Sequence, residues 1–244
     1  MNMNFFKITL LLVSLGTLAG CSNPPLIDAV DSGNVRAVED LLNQGVEVNT
    51  YNRAGDSALA LAIRHGHLEI AALLLKQEAD INAPGVLSTT PLMLAVSGGY
   101  AGIVKHLIDL GADVNAGDLN GNTALMLPPM TDDPEVIEIL LANGAEVNTY
   151  NRETIGPLMV AAFMGHVRIA DLLIAHGAEV NIQAKDGQTA LMRAARQGKI
   201  DMIDLLLDSG ANIHAKTFED ETAVDWALEQ NQIEAANYLR KRGG

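Results

Sequence analysis

The sequence predicts an all-α solenoid of about seven stacked units, each built from a pair of antiparallel helices. Three recurrences carry this expectation. An asparagine returns every 33 residues at Asn49, Asn82, Asn115, Asn148 and Asn181, with His214 in the next slot. A leucine keeps the same period from Leu41 through Leu74, Leu107, Leu140, Leu173 and Leu206 to Leu239. An alanine repeats at Ala29, Ala62 and Ala95, and again at Ala161, Ala194 and Ala227. Composition agrees with the pattern. Aromatic residues are only 4 % of the chain against 48 % hydrophobic. The core must therefore come from Leu, Ala, Ile and Val, which suits small helices whose backbones approach closely.

Each unit reads the same way from its first residue to its last. A hydroxyl residue before an apolar run (Ser57, Thr90, Thr123, Thr189, Thr222) is expected to cap the first helix by accepting a backbone N–H. Pro91 and Pro157 suit the first helical position, where no donor is needed. Glycine at 33, 66, 99, 165 and 198 turns the chain into a second helix. That helix carries an apolar stripe such as Ile103, Val104, Leu107 and Ile108. Gly111, Gly144, Gly177 and Gly210 then end it in the left-handed conformation. Position 78 holds Glu in that slot, at a cost of about 1 kcal/mol. No unit can bury its own apolar face, so stability must come from stacking between polar end caps. A truncated first unit from Pro24 and a polar last unit from about Ala215 suit those ends.

The strings Thr90-Pro91-Leu92, Gly66-His67, Gly165-His166 and Gly111-Ala-Asp-Val-Asn115 resemble the ankyrin repeat. The resemblance spans residues 24–244 and implies paired helices joined by projecting β-turn fingers. It also implies a binding function rather than a catalytic one, with partners meeting the finger tips and the exposed side of the first helices. On this sequence those positions gather at Tyr51, Arg53, Leu119, Met130, Tyr150, Arg152, Phe163 and Met164, centred on units four and five. Exposed Tyr, Phe, Met and Arg are the side-chain types enriched at interfaces.

The pattern breaks in three places. The fourth unit has Pro128-Pro129 in the alanine column, so its first helix is expected to be shortened or unwound while the stack continues. An interior helical proline costs about 3 kcal/mol, so on the sequence alone Pro128→Ala is expected to stabilise. The third unit has Pro84-Gly85-Val86-Leu87 where the usual Asp and Gly of the finger are missing. The column that holds His in ankyrin repeats holds Met93, Met126, Met159 and Met192. Core packing is the expected role of these methionines, with a metal-binding thioether strip as the sharper alternative.

The first residues have a different character. Lys7 precedes an apolar run from Ile8 to Leu18, too short to span a bilayer. The run ends in Leu18-Ala19-Gly20-Cys21, which resembles the lipobox of bacterial lipoproteins. The resemblance implies a signal peptide over residues 1–20, a lipidated Cys21 and a tether over residues 21–23. Cys21 is the one cysteine in the chain, so its lipidation would leave no thiol in an oxidising compartment. A tether this short spans at most about 10 Å, which sets the first unit beside the lipid surface. Ser22 after the cysteine favours the periplasmic face of the outer membrane by the same resemblance.

Net charge is −14, which disfavours non-specific binding to nucleic acid or anionic lipid and mildly favours a basic protein partner. No His-Glu-x-x-His, phosphate-binding glycine loop or Gly-x-Ser-x-Gly elbow occurs. No catalytic residue, cofactor or metal site is therefore expected. The expectation is a monomeric chain that binds a protein partner, as a periplasmic immunity or inhibitor protein against a toxin enzyme. The alternative is a scaffold or protective partner for an envelope or stress-response enzyme. Cys21→Ser is expected to move the protein from the membrane to the soluble fraction on cell fractionation. Unchanged membrane association would refute the lipid anchor.

Overall fold

A computed structural model describes residues 23–244. The signal segment and Cys21 read from the sequence lie outside the described residues. Seven units follow one another. Six are complete helix pairs: α1 Pro25–Asp31 with α2 Val35–Asn43, α3 Ala58–Arg64 with α4 Leu68–Lys76, and α5 Pro91–Ser97 with α6 Ala101–Asp109. After the fourth unit come α8 Pro157–Met164 with α9 Val167–Ala175, α10 Ala190–Arg196 with α11 Ile200–Asp208, and α12 Ala223–Glu229 with α13 Ile233–Lys241. The fourth unit keeps only its second helix, α7 Glu135–Ala142.

The expected caps form where a first helix exists. The side chains of Ser57, Thr90, Thr189 and Thr222 accept the N–H groups of Ala60, Met93, Met192 and Asp225. Three of these caps are reciprocal. The Asp225 carboxylate accepts the Thr222 N–H at 2.8 Å. The thioethers of Met93 and Met192 take the same role for Thr90 and Thr189, each at 3.4 Å. All four methionines of the column are at most 3 % exposed. Core packing is their structural role, to which Met93 and Met192 add a capping sulfur.

Stacking is enforced at two heights. At the turns, each glycine receives a side chain from the next unit: a Cβ at Gly33 would lie 2.8 Å from the His67 ring, and one at Gly66 would lie 2.7 Å from the Tyr100 hydroxyl. Both glycines also have positive φ, so conformation and contact exclude a larger residue together. At the base of the fingers four of the five periodic asparagines bridge neighbouring units, Asn82 being the exception. Asn115 accepts the N–H of Glu146 at 2.9 Å and donates to the carbonyl of Gly144 at 3.0 Å. Asn148 does the same with Glu179 and Gly177, and Asn181 with Asn212 and Gly210. Asn49 retains the accepting half, from Asp80. The left-handed backbone expected at Glu78 is present, with φ at 59°.

The fourth unit departs as expected from its prolines. Its first helix is a single tight turn, Ala124–Met126, followed by non-helical backbone at Leu127. Thr123 therefore has no helix to cap, contrary to the sequence expectation, and its hydroxyl lies 3.3 Å from that of Thr149. The unwound segment is braced against unit five. Pro129 offers its carbonyl to Nε2 of the buried His166 at 3.0 Å. The Asp132 carboxylate accepts the N–H groups of Arg168 and Ile169 at 2.9 and 3.0 Å, capping α9 from the neighbouring unit. Asp133 accepts the N–H of Glu135 and starts α7. Both prolines are buried and neither lies in a helix.

This reverses the sign expected for Pro128→Ala. The helix strain that the substitution would relieve is absent, while buried ring contacts and a rigid unfolded-state constraint are lost. The substitution should lower stability by about 1 kcal/mol. Thermal unfolding followed by circular dichroism checks this; a raised midpoint would contradict the braced-loop description.

Candidate partner-binding face

Six fingers precede the first helices of units two to seven. Each closes with a hydrogen bond across its tip, as from the N–H of Asn151 to the carbonyl of Ile155 at 3.0 Å. The tip position is left-handed throughout: Gly55, Ser88, Gly121, Thr154, Gly187 and Asp220 all have positive φ. From unit three onward one bond joins each finger to the next. The N–H groups of Leu119, Arg152, Lys185 and Phe218 donate to the carbonyls of Leu87, Asn120, Glu153 and Asp186. The fingers form a hydrogen-bonded row rather than independent loops.

The junction between units two and three differs. There the N–H of Val86 donates to the Asp56 carboxylate at 2.9 Å, and Arg64 of α3 pairs with the same oxygen at 2.5 Å. Gly85 is required beside them because a Cβ would stand 2.7 Å from that carboxylate. Asp56, although on a finger, is 4 % exposed. The missing Asp and Gly of the third finger are replaced by two consecutive left-handed residues, Leu87 and Ser88. Leu87 is held at the tip, largely in solvent.

The selected residues fall into two groups. Met130 and Phe163 occupy the same position of adjacent units and are 83 % and 45 % exposed. Leu119 stands on the finger of unit four at 53 %, and Met164 beside Phe163 is half-buried. Helix α8 has no polar side chain anywhere in its sequence PLMVAAFM, so its open side adds to the same apolar strip. Arg53 and Arg152 are exposed on their fingers. Tyr51 and Tyr150 are exposed as well, at 44 % and 36 %. Tyr51 pairs across its finger with Ser57. The ring of Tyr150 lies against Gly156, and its hydroxyl donates to Glu179 at 3.2 Å. Burial, and then the Glu179 carboxylate, raise the Tyr150 hydroxyl above its ordinary pKa. Tyr150 is thus tied to the finger base, apart from the strip of Leu119, Met130 and Phe163. Ile155 packs against the core.

One column of this face was not singled out from the sequence. Four residues after Ser57 and its counterparts, units two to seven carry Leu61, Leu94, Leu127, Val160, Arg193 and Trp226 at 33-residue spacing. Clefts between neighbouring fingers open onto the last two. One, of about 280 Å³, is lined by Glu153, Ile155, Lys185, Asp186 and Arg193. Another, of about 330 Å³, has Phe218 and Trp226 in its wall. Burial lowers the Arg193 pKa, against the pull of Asp186, and Arg196 adds to the lowering. The signal that could have found this column is an arginine in a series of aliphatic residues.

Comparison with known proteins agrees with the architecture. Ankyrin repeats (3 copies) match over residues 2–85, 84–151 and 158–244, and ankyrin repeats (many copies) over residues 130–174. The chain belongs to the ankyrin-repeat family. The crystal structure of the human ASB11 ankyrin repeat domain superposes with a TM-score of 0.80 at 30 % identity, covering 91 % of this chain and 99 % of that one. No curated protein matches the chain. Ankyrin repeats are generally non-enzymatic modules for protein–protein interaction, and an interaction domain is what this array provides. Among the described residues, no group of His, Cys, Asp or Glu is arranged to hold a metal ion.

The difference between strip and core is measurable. Met130→Ala should change stability by no more than about 0.5 kcal/mol, because its side chain is in solvent. Met159→Ala, one unit along and in the core, should cost about 2–5 kcal/mol. Denaturant unfolding of the two variants compares them directly; equal losses would mean that Met130 is packed rather than presented.

Proposed function

We propose that this ankyrin-repeat chain is a lipid-anchored envelope protein that holds a protein partner on the strip of units four and five. The observation that carries the binding face is the exposure of Leu119, Met130 and Phe163, three large apolar side chains held in solvent on units four and five. A chain with 4 % aromatic residues gains nothing for its own core by exposing one; exposed apolar patches of this kind mark interaction sites. The anchor rests on Leu18-Ala19-Gly20-Cys21, with Cys21 as the acylated residue and the periplasmic face of the outer membrane as the location. Two residues of tether then hold the first unit at the membrane and let the later units project. Partner binding takes the form of inhibition of a toxin enzyme in this reading. A braced array with an apolar strip at its centre can cover an active-site mouth, and the tether keeps it where such an enzyme would enter. Scaffolding of an envelope enzyme is the competing form of the same binding.

Affinity capture from solubilised membranes tests the proposal. The lipidated wild-type chain should retain a specific protein that the double variant Met130→Asp, Phe163→Asp loses, although both unfold at the same temperature. Addition of the chain should suppress the captured enzyme's activity; full activity within the complex would establish the scaffold instead. Identical recovery by both chains, or turnover of a substrate by the chain alone, would overturn the binding strip.

A further inference from the structure

We propose that Arg193, with Arg196 beside it, is a receptor site for an acidic side chain of the protein partner, which lies along the face as an extended segment with an apolar residue over Phe163. This rests on the reading of that face as the binding face, and names the chemistry it selects.

Arg193 stands where other units place Leu61, Leu94, Leu127 and Val160. Nothing in the packing of the stack calls for a cation in that column. Its Nε is buried and has no hydrogen-bond partner. No carboxylate within the chain pairs with it. Of the two carboxylates lining its cleft, Asp186 attracts Arg193 from a distance while accepting the backbone N–H and side-chain amide of Gln188, and Glu153 faces Lys185 at 3.9 Å. One turn along α10, Arg196 lies over the Trp226 ring, 5.0 Å from its centre, so a second guanidinium is held in place on the same helix. Like charges at this spacing oppose each other, and a carboxylate on Arg193 relieves that repulsion. The cleft above Arg193, between the fingers of units five and six, has about 280 Å³ to receive one. An arginine fork matches a carboxylate in two parallel hydrogen bonds.

The geometry also sets a spacing. Phe163 and Arg196 occupy the same position of adjacent first helices, which pack about 8–10 Å apart. An extended chain covers that in about three residues. The recognised segment therefore carries an aromatic or long aliphatic residue and an Asp or Glu about three positions apart.

A randomised peptide library selected on the full-length chain in mild detergent provides the test. Selected peptides should share the apolar–acidic spacing. Arg193→Gln should weaken them at least about tenfold, and changing the peptide's acid to its amide should give the same loss, with no further loss when both changes are combined. Arg193→Met should leave the unfolding midpoint unchanged or raised, since it removes an unpaired, half-buried cation; a lowered midpoint would assign Arg193 a structural role and overturn the site. Peptides that need Phe163 yet show no acidic preference, or that bind the Arg193→Gln chain equally well, would overturn the carboxylate site while leaving the binding strip intact. Failure to recover any peptide sensitive to Phe163→Asp would reject the strip itself, and the carboxylate site with it.

Discussion

The asparagine amide at the base of the fingers is the contact on which the register of the array from unit four onward depends. Its carbonyl and its NH₂ group each satisfy a backbone partner in the following unit, 31 and 29 residues on. One side chain thus fixes the distance between two units and the register between their loops. The helices then meet with small residues facing each other, and the leucines of the second helices close the core. Unit four shows how strong this constraint is. It has lost its first helix, yet Asn115 ties its loop from one side and Asn148 ties the next from the other. The register passes through unchanged.

That same unit separates what a sequence reveals from what it conceals. Repeat length, helix pairs, left-handed Glu78 and the unwinding at Pro128-Pro129 all follow from local rules applied column by column. The bracing does not. Nothing in the string Thr131-Asp-Asp-Pro134 says that Asp132 caps α9 of unit five, or that the Pro129 carbonyl meets His166. Those are contacts between units, and they turn a helix-breaking insertion into a fitted loop. Asp56 is a similar case. Its column is half-buried in the other fingers, but the irregular finger of unit three brings the Val86 N–H onto its carboxylate, beside Arg64 of α3, and Asp56 is buried.

The candidate face was legible in the same uneven way. Exposure of Leu119, Met130 and Phe163 follows from their columns. Tyr150 shares a tripeptide with Tyr51, yet it is drawn to Glu179 by a hydrogen bond that Tyr51 does not make. Arg193 was hidden for the opposite reason. A single arginine in a sequence is unremarked until the period shows that its neighbours in the stack are aliphatic. Charge behaves likewise: the total is set by acids spread along the whole chain, while a binding site feels only the few groups within a Debye length of about 10 Å.

The asparagine bridge also governs how such a chain can change its length. Inserting or deleting one residue within a unit displaces both of its backbone partners and leaves a polar pair unmatched. Adding or removing 33 residues restores every bridge. The array can therefore lengthen or shorten only in whole steps, and each step carries a complete finger and a complete strip of face with it. Reach from the membrane and area offered to a partner are, by this construction, the same variable.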